Sequence, residues 1–478
     1  MSFDYNNLVP VLPEIVLLSA VSLVLVLDLF LKQEQRIITY SFAQLSLLLT
    51  IVAVVMVGGS HTDVVFTGSY IRDPMSDVLK IALLIVSMGM LVYAKEFLRH
   101  RDLFKGEFIT LSLFAILGMM IMISSNSFLS LYLGLELLAL CMYALVAFDH
   151  EDTNGSEAAM KYFVLGALAS GLLLYGISMI YGATGVIDFD GVKTAVASGE
   201  VNKIVLLFGL VFLVIGIAFK FGAVPFHMWV PDVYHGAPNA VTLFIGSVPK
   251  IAAFALAMRI LVDGLGGMHA DWQGMLIILA VLSMAIGNVI AIAQTNIKRM
   301  LAYSTISHVG FIFLGILAGT SEGYTAAMFY AIVYAVTALG AFGMITLMSR
   351  KGFDADQLDD LKGLNQRNPW FAGMMMLLMF SMAGVPPTVG FFAKLFVLDA
   401  VISVDITWLA IVAVAFSVIG AFYYIRVVKI IYFDKPEDDT PITAGADTQL
   451  VFSLNGLSVL ILGLFPASLL SVCTAAIG

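Results

Sequence analysis

The sequence predicts an all-α integral membrane protein with about fourteen membrane-spanning helices, because apolar stretches of about 17–25 residues recur along it. Hydrophobic residues make up 60% of its 478 residues and charged residues only 12%. A soluble domain carries about 25% charged residues, whereas the mean hydropathy here is +0.99. Most of the chain must therefore contact lipid or other apolar helices.

The apolar stretches define spans 1 to 14 in chain order. Their predicted bounds are 8–31, 37–58, 76–95, 107–125, 127–149, 158–183, 202–234, 239–262, 273–293, 298–319, 323–349, 369–403, 406–433 and 450–474. Span 1 resembles a signal peptide in position, but the preceding segment MSFDYNN has no basic residue, so we expect a retained helix. We expect the polar connections, including residues 184–202, to be solvated loops.

The basic residues are distributed unevenly between the two sides of the predicted bundle. Connections after odd-numbered spans carry most of the lysines and arginines, whereas those after even-numbered spans carry only Arg72 and Lys193. Basic residues favour the cytoplasmic side of a membrane. The bias therefore supports fourteen spans, with both termini outside and the odd-numbered connections in the cytoplasm.

Spans 7 and 12 are predicted to be discontinuous. Pro225 and Pro231 in span 7 cannot both lie in an unbroken helix, and Pro386 and Pro387 interrupt span 12 in the same way. Irregular backbone at membrane depth is tolerated only where protein or a water-filled cavity surrounds it. Paired breaks of this kind are typical of transporters built from internal repeats, although ordinary proline kinks are the alternative.

The two breaks share a short motif, GAVP at 222–225 and AGVP at 383–386, and lie five spans apart. An odd-numbered repeat inverts its partner across the membrane. We therefore predict two inverted five-helix repeats, spans 4–8 and 9–13, between a three-span segment and a last span. The corresponding domain bounds are 1–106, 107–264, 265–434 and 435–478.

Five ionisable residues lie inside predicted spans. They are Glu136, Lys161, Lys220, Lys250 and Lys394. A charged group at bilayer depth costs about 2.5–3.5 kcal/mol on insertion scales and commonly marks an ion pathway. This pattern predicts a proton relay.

The individual residues support this relay unequally. Glu136 is the expected partner of Lys220, with a static ion pair as the alternative. Lys161 lies near the start of span 6 and could instead extend its ammonium to the membrane surface, which also explains Lys80 in span 3. Lys250 and Lys394 are too deep for that.

Two histidines are further candidates. His308 in span 10 lies among serines and a threonine, and a neutral imidazole can pass a proton between its two nitrogens. A structural histidine bonded to a hydroxyl is the alternative. His227 flanks the break in span 7 and is deep enough to join the path.

Several function classes are disfavoured. The net charge of −9 argues against nucleic acid as a partner. Cys141 and Cys473 have no metal-binding or cluster spacing, and the chain has no nucleotide-binding glycine motif. We expect no cofactor or metal in this chain.

The motifs around these residues resemble the antiporter-like subunits of respiratory complex I. They are GLELLAL, FKFGAVPFHMWVPDVYHGAPNAVT, PKIAAFA, QTNIKRMLAYSTISHVGF and AGVPPTVGFFAKLFVL. The resemblance implies that Glu136 and Lys220 form the couple of one half-channel, and that Lys250 is the central relay. Lys394 would end the other half-channel, with His308 and His227 in the hydrated axis. Pro249, beside Lys250, departs from the commonest pattern and is expected to bend span 8.

The resemblance also implies the biological setting. The chain would translocate protons from cytoplasm to periplasm in a bacterial inner membrane, with both termini periplasmic. Its partners would be other membrane and peripheral subunits of complex I, including neighbouring antiporter-like subunits, and these would hold FMN, iron–sulfur clusters and quinone. The alternatives are a subunit of an Mrp-type cation/proton antiporter, of an energy-converting hydrogenase, or a purely structural membrane subunit.

Overall fold

The protein is a bundle of apolar helices, seen here in a computed structural model that describes residues 5–436, 440, 442 and 444–478. The first eleven helices are α1 (Leu12–Asp28), α2 (Ile37–Val57), α3 (Pro74–His100), α4 (Gly106–Ile123), α5 (Phe128–Val146), α6 (Thr153–Thr184), α7 (Phe189–Ser198), α8 (Lys203–Phe221), α9 (Trp229–Gly236), α10 (Asn239–Ser247) and α11 (Pro249–Ala257). A π-helical turn, Met258–Gly264, continues α11. The others are α12 (His269–Ala293), α13 (Ile297–Leu317), α14 (Ser321–Met348), α15 (Leu364–Arg367), α16 (Pro369–Ala383), α17 (Val389–Ser403), α18 (Thr407–Phe433), α19 (Ala446–Leu464) and α20 (Pro466–Ile477).

The predicted all-α membrane fold is confirmed. Twelve helices in the described ranges are long and apolar enough to cross a membrane. Each predicted span coincides with one helix or with consecutive helices, and the total of fourteen spans stays a prediction. Span 14 contains a break that was not predicted, since α19 ends at Leu464 and Pro466 begins α20.

The predicted interruptions of spans 7 and 12 are present and have the same local geometry. α8 is followed by the capping residue Gly222, which has φ +79°, and the N–H of Ala223 donates to the Ala218 carbonyl at 2.8 Å. α16 is followed by the capping residue Gly384, which has φ +85°, and the N–H of Val385 donates to the Phe380 carbonyl at 2.9 Å. Glycine adopts this left-handed conformation without a steric penalty, so it ends both helices.

Several elements outside the spans were not predicted, among them the short helix α15 between spans 11 and 12. Strands β1 (Asp63–Val65) and β2 (Tyr70–Arg72) form an antiparallel hairpin between α2 and α3. The connection 184–202, predicted to be a loop, contains the short helix α7. Its apolar side is anchored because Phe189 is buried and its ring lies 4.8 Å from that of Phe128.

The core of the bundle consists of α10, α11, α13 and α14. Every residue of α10 and α11 is buried, as are nearly all residues of α13 and α14. Helices that are apolar on all sides belong in such an interior. The polar groups on these helices are therefore enclosed by protein rather than by lipid.

Candidate functional site

Lys220 and Glu136 both line a small cavity. Lys220 is in the last turn of α8 and Glu136 is in α5, and the cavity of about 30 Å³ is also lined by Tyr143 and Trp229. Glu136 accepts a hydrogen bond from the hydroxyl of Ser170. The two charged groups form no direct ion pair in the described part of the chain. The cavity is large enough for water to join them.

Lys250 belongs to α11 and is almost completely buried, at 1% exposure. Its Nζ lies 5.7 Å from the ring centre of Trp229 and 5.9 Å from that of Tyr234. Among the described residues no acidic group or hydrogen-bond acceptor contacts this ammonium. The faces of aromatic rings attract a cation electrostatically, so the rings of Trp229 and Tyr234 stabilise the charged form of Lys250.

Hydroxyl groups connect the surroundings of Lys250 to α13. The hydroxyl of Tyr334 donates to Oγ1 of Thr305 at 2.7 Å. The hydroxyl of Tyr234, whose ring lies near Lys250, donates to the Ile245 carbonyl at 3.3 Å, and that of Tyr334 also lies 3.3 Å from the Gly246 carbonyl. The two tyrosines therefore bind consecutive carbonyls of α10, and Tyr334 also reaches α13.

His308 occupies the middle of α13 and uses both ring nitrogens. Nδ1 lies 2.7 Å from the hydroxyl of Tyr330, and Nε2 lies 3.0 Å from the hydroxyl of Tyr424. A second hydroxyl, that of Ser304, bonds to Tyr424. One imidazole nitrogen of a neutral histidine donates while the other accepts, and the two phenols can serve either tautomer.

Lys394 lies at the second helix break and is 9% exposed. Its ammonium donates to the Ala383 carbonyl and to Oγ of Ser417, both at 2.9 Å. Ala383 is the last residue of α16, and its carbonyl is free for Lys394 because the helix stops at Gly384. A helix C-terminus carries partial negative charge. The break therefore supplies the acceptor that the buried lysine needs.

The two remaining candidates form no hydrogen bond with the others. Lys161 is exposed, and its Nζ is 2.9 Å from carboxylate oxygens of both Glu157 and Asp232. His227 lies between α8 and α9 beside Met228, which is 71% exposed. Neither residue is hydrogen-bonded to Glu136, Lys220, Lys250 or Lys394 in the described residues.

One prediction about a neighbouring lysine is wrong. Lys80 does not extend to the membrane surface, since it is 1% exposed and its Nζ lies 2.6 Å from Oε1 of Glu14. Glu14 belongs to α1 and is itself buried.

The sequence patterns did not identify the tyrosines that lie near Lys250 and His308. They are Tyr234, Tyr330, Tyr334 and Tyr424. Tyr330 and Tyr334 are four residues apart in a helix and therefore share a face, which was an available signal. The other two come from α9 and α18, and nothing local marks them.

A polar cavity of about 350 Å³ opens where the ends of several helices meet. Lys298 is one of the residues that line it. This lysine is 4% exposed and donates to the Ala237 carbonyl and to Oδ1 of Asn239, both at 2.9 Å. The side chains of His235 and Asp356 are among those that line its walls. The connections around this cavity belong to the basic side of the bundle. Within the described residues, no three His, Cys, Asp or Glu side chains are grouped to hold a metal ion.

The chain matches a family model over its central part. Residues 125–420 fit the transmembrane family described as NADH:quinone oxidoreductase/Mrp antiporter. Over all 478 residues, and over the relative's whole length, the chain is 58% identical to the NADH-quinone oxidoreductase subunit N of Thioalkalivibrio sulfidiphilus. It is 55% identical to the subunit N of Thiobacillus denitrificans, covering 100% of this chain and 99% of that one. The chain belongs to the NADH-quinone oxidoreductase subunit N family.

Chains in solved membrane complexes have the same fold as this chain. A chain of respiratory complex I from Thermus thermophilus superposes with a TM-score of 0.83 at 28% identity, covering 97% of this chain and 100% of that one. A chain of an archaeal membrane-bound sulfane sulfur reductase gives 0.87 at 25% identity, with 98% and 97% covered. A chain of the Mrp complex from Dietzia gives 0.86 at 20% identity, with 99% and 97% covered, which shows the shared fold alone. The family predicted from the sequence motifs is confirmed.

Proposed function

We propose that this chain is the proton-translocating membrane subunit of an NADH–quinone oxidoreductase, moving protons from cytoplasm to periplasm. Its family supports the assignment, and one observation carries the mechanism. Lys220 lines the small cavity together with Glu136, Lys250 and Lys394 are buried in the bundle, and in the described residues none of the three is in direct contact with a carboxylate. A permanently charged buried lysine needs a paired carboxylate. Lysines without one are suited to gain and lose protons.

The relay would work through coupled protonation. Lys250 lies within electrostatic reach of Lys220, as His308 does of Lys394. A proton on one member makes a proton on its neighbour less favourable, so the groups titrate together. Glu136 would load Lys220 through the small cavity, and the tyrosine hydroxyls around His308 would pass the proton on to Lys394. Redox chemistry on FMN, iron–sulfur clusters and quinone in partner subunits would supply the energy.

The sidedness of the pathway follows from the basic residues. The polar cavity above Lys298 lies on the side rich in lysine and arginine, which we assign to the cytoplasm. Both termini would then be periplasmic, in a bacterial inner membrane. The partners would be the other membrane and peripheral subunits of complex I, including neighbouring antiporter-like subunits.

The chain would be organised as two inverted repeats, residues 107–264 and 265–434, between segments 1–106 and 435–478. The matching turns at Gly222 and Gly384 support this division, because each places a lysine beside the end of a broken helix. Lys161 and His227 would be accessory groups at the edge of the first repeat.

The test is proton pumping by the intact complex in inverted membrane vesicles. Lys220→Ala, Lys250→Ala and Lys394→Ala should each lower NADH-driven proton uptake by tenfold or more per assembled complex, since general acid–base groups contribute about 10²–10⁴-fold. Lys203→Ala, at the exposed start of α8, is the matched control. Unchanged pumping in all three variants with normal assembly would leave a structural role. Pumping driven by a sodium or potassium gradient without NADH would favour the antiporter alternative.

A further inference from the structure

Arg259 is a buried cation that lies outside the relay but on the same helical segment as Lys250. It belongs to the π-helical turn that follows α11 and is 2% exposed. Its Nη1 and Nη2 donate to the two carboxylate oxygens of Asp73, both at 2.8 Å, in a bidentate contact. Nη1 also lies 2.9 Å from Oδ2 of Asp263, and Nε donates to the Ile123 carbonyl at 3.1 Å. All three nitrogens of the Arg259 guanidinium therefore form hydrogen bonds within the protein.

Asp73 belongs to a different part of the chain. It is the N-cap of α3, where its side chain accepts from the backbone N–H of Ser76 at 2.8 Å. It lies in the first three-helix segment, outside residues 125–420 that match the family model. The Asp73–Arg259 pair thus connects the first segment to the end of the helical segment that carries Lys250.

The helical segment that carries Lys250 lacks one backbone hydrogen bond near its other end. α10 stops at Ser247 and α11 begins at Pro249, which has no N–H to donate back along the helix. Lys250 itself forms no hydrogen bond to the protein in the described residues. Its position is therefore set by the backbone of α11, which spans only about 13 Å at 1.5 Å per residue.

We infer that Asp73 is a positioning residue for Lys250, acting through Arg259. The ion pair fixes the π-helical turn, and the turn fixes the direction and depth of α11 below the rings of Trp229 and Tyr234. This role rests on the proposed function of Lys250 in proton transfer. If Asp73 has this role, the first three helices contribute to proton transfer, because Asp73 at the start of α3 holds the segment that carries Lys250 in position.

Asp73→Asn is the sharpest variant for testing this inference. Asparagine is as good an N-cap as aspartate, so the start of α3 is kept, and Arg259 keeps Asp263 as a partner. Only the charge contact between α3 and the turn is weakened. Asp188→Asn is the matched control, because Asp188 caps α7 through Gly191 and forms no ion pair in the described residues.

In the assembled complex, Asp73→Asn should lower NADH-driven proton uptake per complex by roughly tenfold, since a displacement of about 1 Å can cost up to 10²-fold. Asp188→Asn should leave it unchanged. Arg259→Lys keeps the charge but loses the bidentate contact, so it should give an intermediate loss. It also keeps the inference testable if Asp73→Asn does not assemble.

A second measurement reports position without using activity. Ala253→Cys places a thiol one turn below Lys250 at a fully buried site, in a background with Cys141 and Cys473 replaced by alanine. Labelling of this thiol by N-ethylmaleimide should be slow, and adding Asp73→Asn should accelerate it severalfold. Normal pumping and unchanged labelling in Asp73→Asn, beside a Lys250→Ala variant that has lost pumping, would overturn the positioning role alone. Normal pumping in Lys250→Ala would overturn the proposed function instead.

Discussion

The ammonium of Lys80 and the carboxylate of Glu14 form a buried ion pair, with Nζ and Oε1 2.6 Å apart. The hydroxyl of Tyr70 completes the cluster, since it lies 2.9 Å from Lys80 Nζ and donates to the other oxygen of Glu14 at 2.8 Å. The three residues come from α3, α1 and β2. The cluster therefore joins the N-terminal helices and the hairpin inside the protein.

We expect Lys80→Met to destabilise the chain by about 3–5 kcal/mol, because it leaves the Glu14 carboxylate buried without its cation. The measurement is the thermal denaturation midpoint of the purified complex, together with its yield. The double variant Lys80→Met/Glu14→Leu removes both charges and should recover most of the loss. A double variant as unstable as the single one would show that the ion pair itself is not the cause.

The pairing of Lys80 with Glu14 could not be predicted from the sequence. Its depth in span 3 was consistent with extension to the surface, and Glu14 lies 66 residues earlier with no pattern linking the two. By contrast, Lys220 and Lys394 were found because each is a charged residue inside an apolar span, and each also lies near a proline or glycine that breaks a helix. Local chemistry marks such sites, whereas a pairing between distant helices depends on packing that no periodicity encodes.

The same distinction applies to the hydrogen-bond partners of His308. The histidine was identified from its neighbours Ser304 and Thr305 on one helix. Its actual hydrogen-bond partners, Tyr330 and Tyr424, belong to α14 and α18. A single sequence gives the periodicity of each helix but not which faces meet, so these phenols had to come from the structure.

Tyr424→Phe should slow proton pumping several-fold, because it removes the partner of His308 Nε2 and leaves a buried polar atom unsatisfied. Such a loss is worth about 1–3 kcal/mol. The measurement is NADH-driven proton uptake in inverted vesicles, normalised to assembled complex. Tyr175→Phe, at a residue 56% exposed on α6, is the control and should have no effect. Equal rates in the two variants would remove Tyr424 from the relay.

Ser417→Ala should also reduce pumping without preventing assembly. It removes one of the two hydrogen bonds to the Lys394 ammonium, and a bond to a charged group contributes about 1.5–3 kcal/mol. Holding a proton on Lys394 becomes less favourable by that amount. Ser403→Ala, at the end of α17, the helix that carries Lys394, is the control. Wild-type rates for Ser417→Ala at every pH from 6 to 8 would contradict the expectation.

The Asp73–Arg259 pair predicts a specific dependence of stability on pH. Burial raises the pKa of the Asp73 carboxyl, but the Arg259 guanidinium and the hydrogen bonds from Ser76 lower it further, so the net pKa lies below the usual value. A depressed carboxyl pKa contributes stability that is complete above the unfolded pKa of about 3.9. That stability is lost as the pH falls through the lower folded pKa.

Wild type should therefore denature at a higher temperature than Asp73→Asn from pH 8 to pH 5, by a constant margin. Below about pH 4 the margin should narrow as Asp73 becomes protonated in the wild type. The measurement is the denaturation midpoint of the detergent-purified complex at each pH. A margin that stayed constant to pH 3, or widened, would show that the charge of Asp73 is not what stabilises this contact.

Gly384→Ala tests whether the helix break positions Lys394. The residue has φ +85°, and a Cβ there would lie 3.0 Å from Cδ and 3.4 Å from Nζ of Lys394. A side chain in left-handed backbone costs roughly 1–2 kcal/mol, and the added methyl would also push the lysine from the Ala383 carbonyl. We expect slower pumping per assembled complex and a lower denaturation midpoint. Gly171→Ala, where a Cβ would meet no atom within 4 Å, should leave pumping unchanged and so separates the effect of the break from that of any added methyl group. A Gly384→Ala complex that is less stable but pumps at the full rate would mean that the break matters to the fold and not to Lys394.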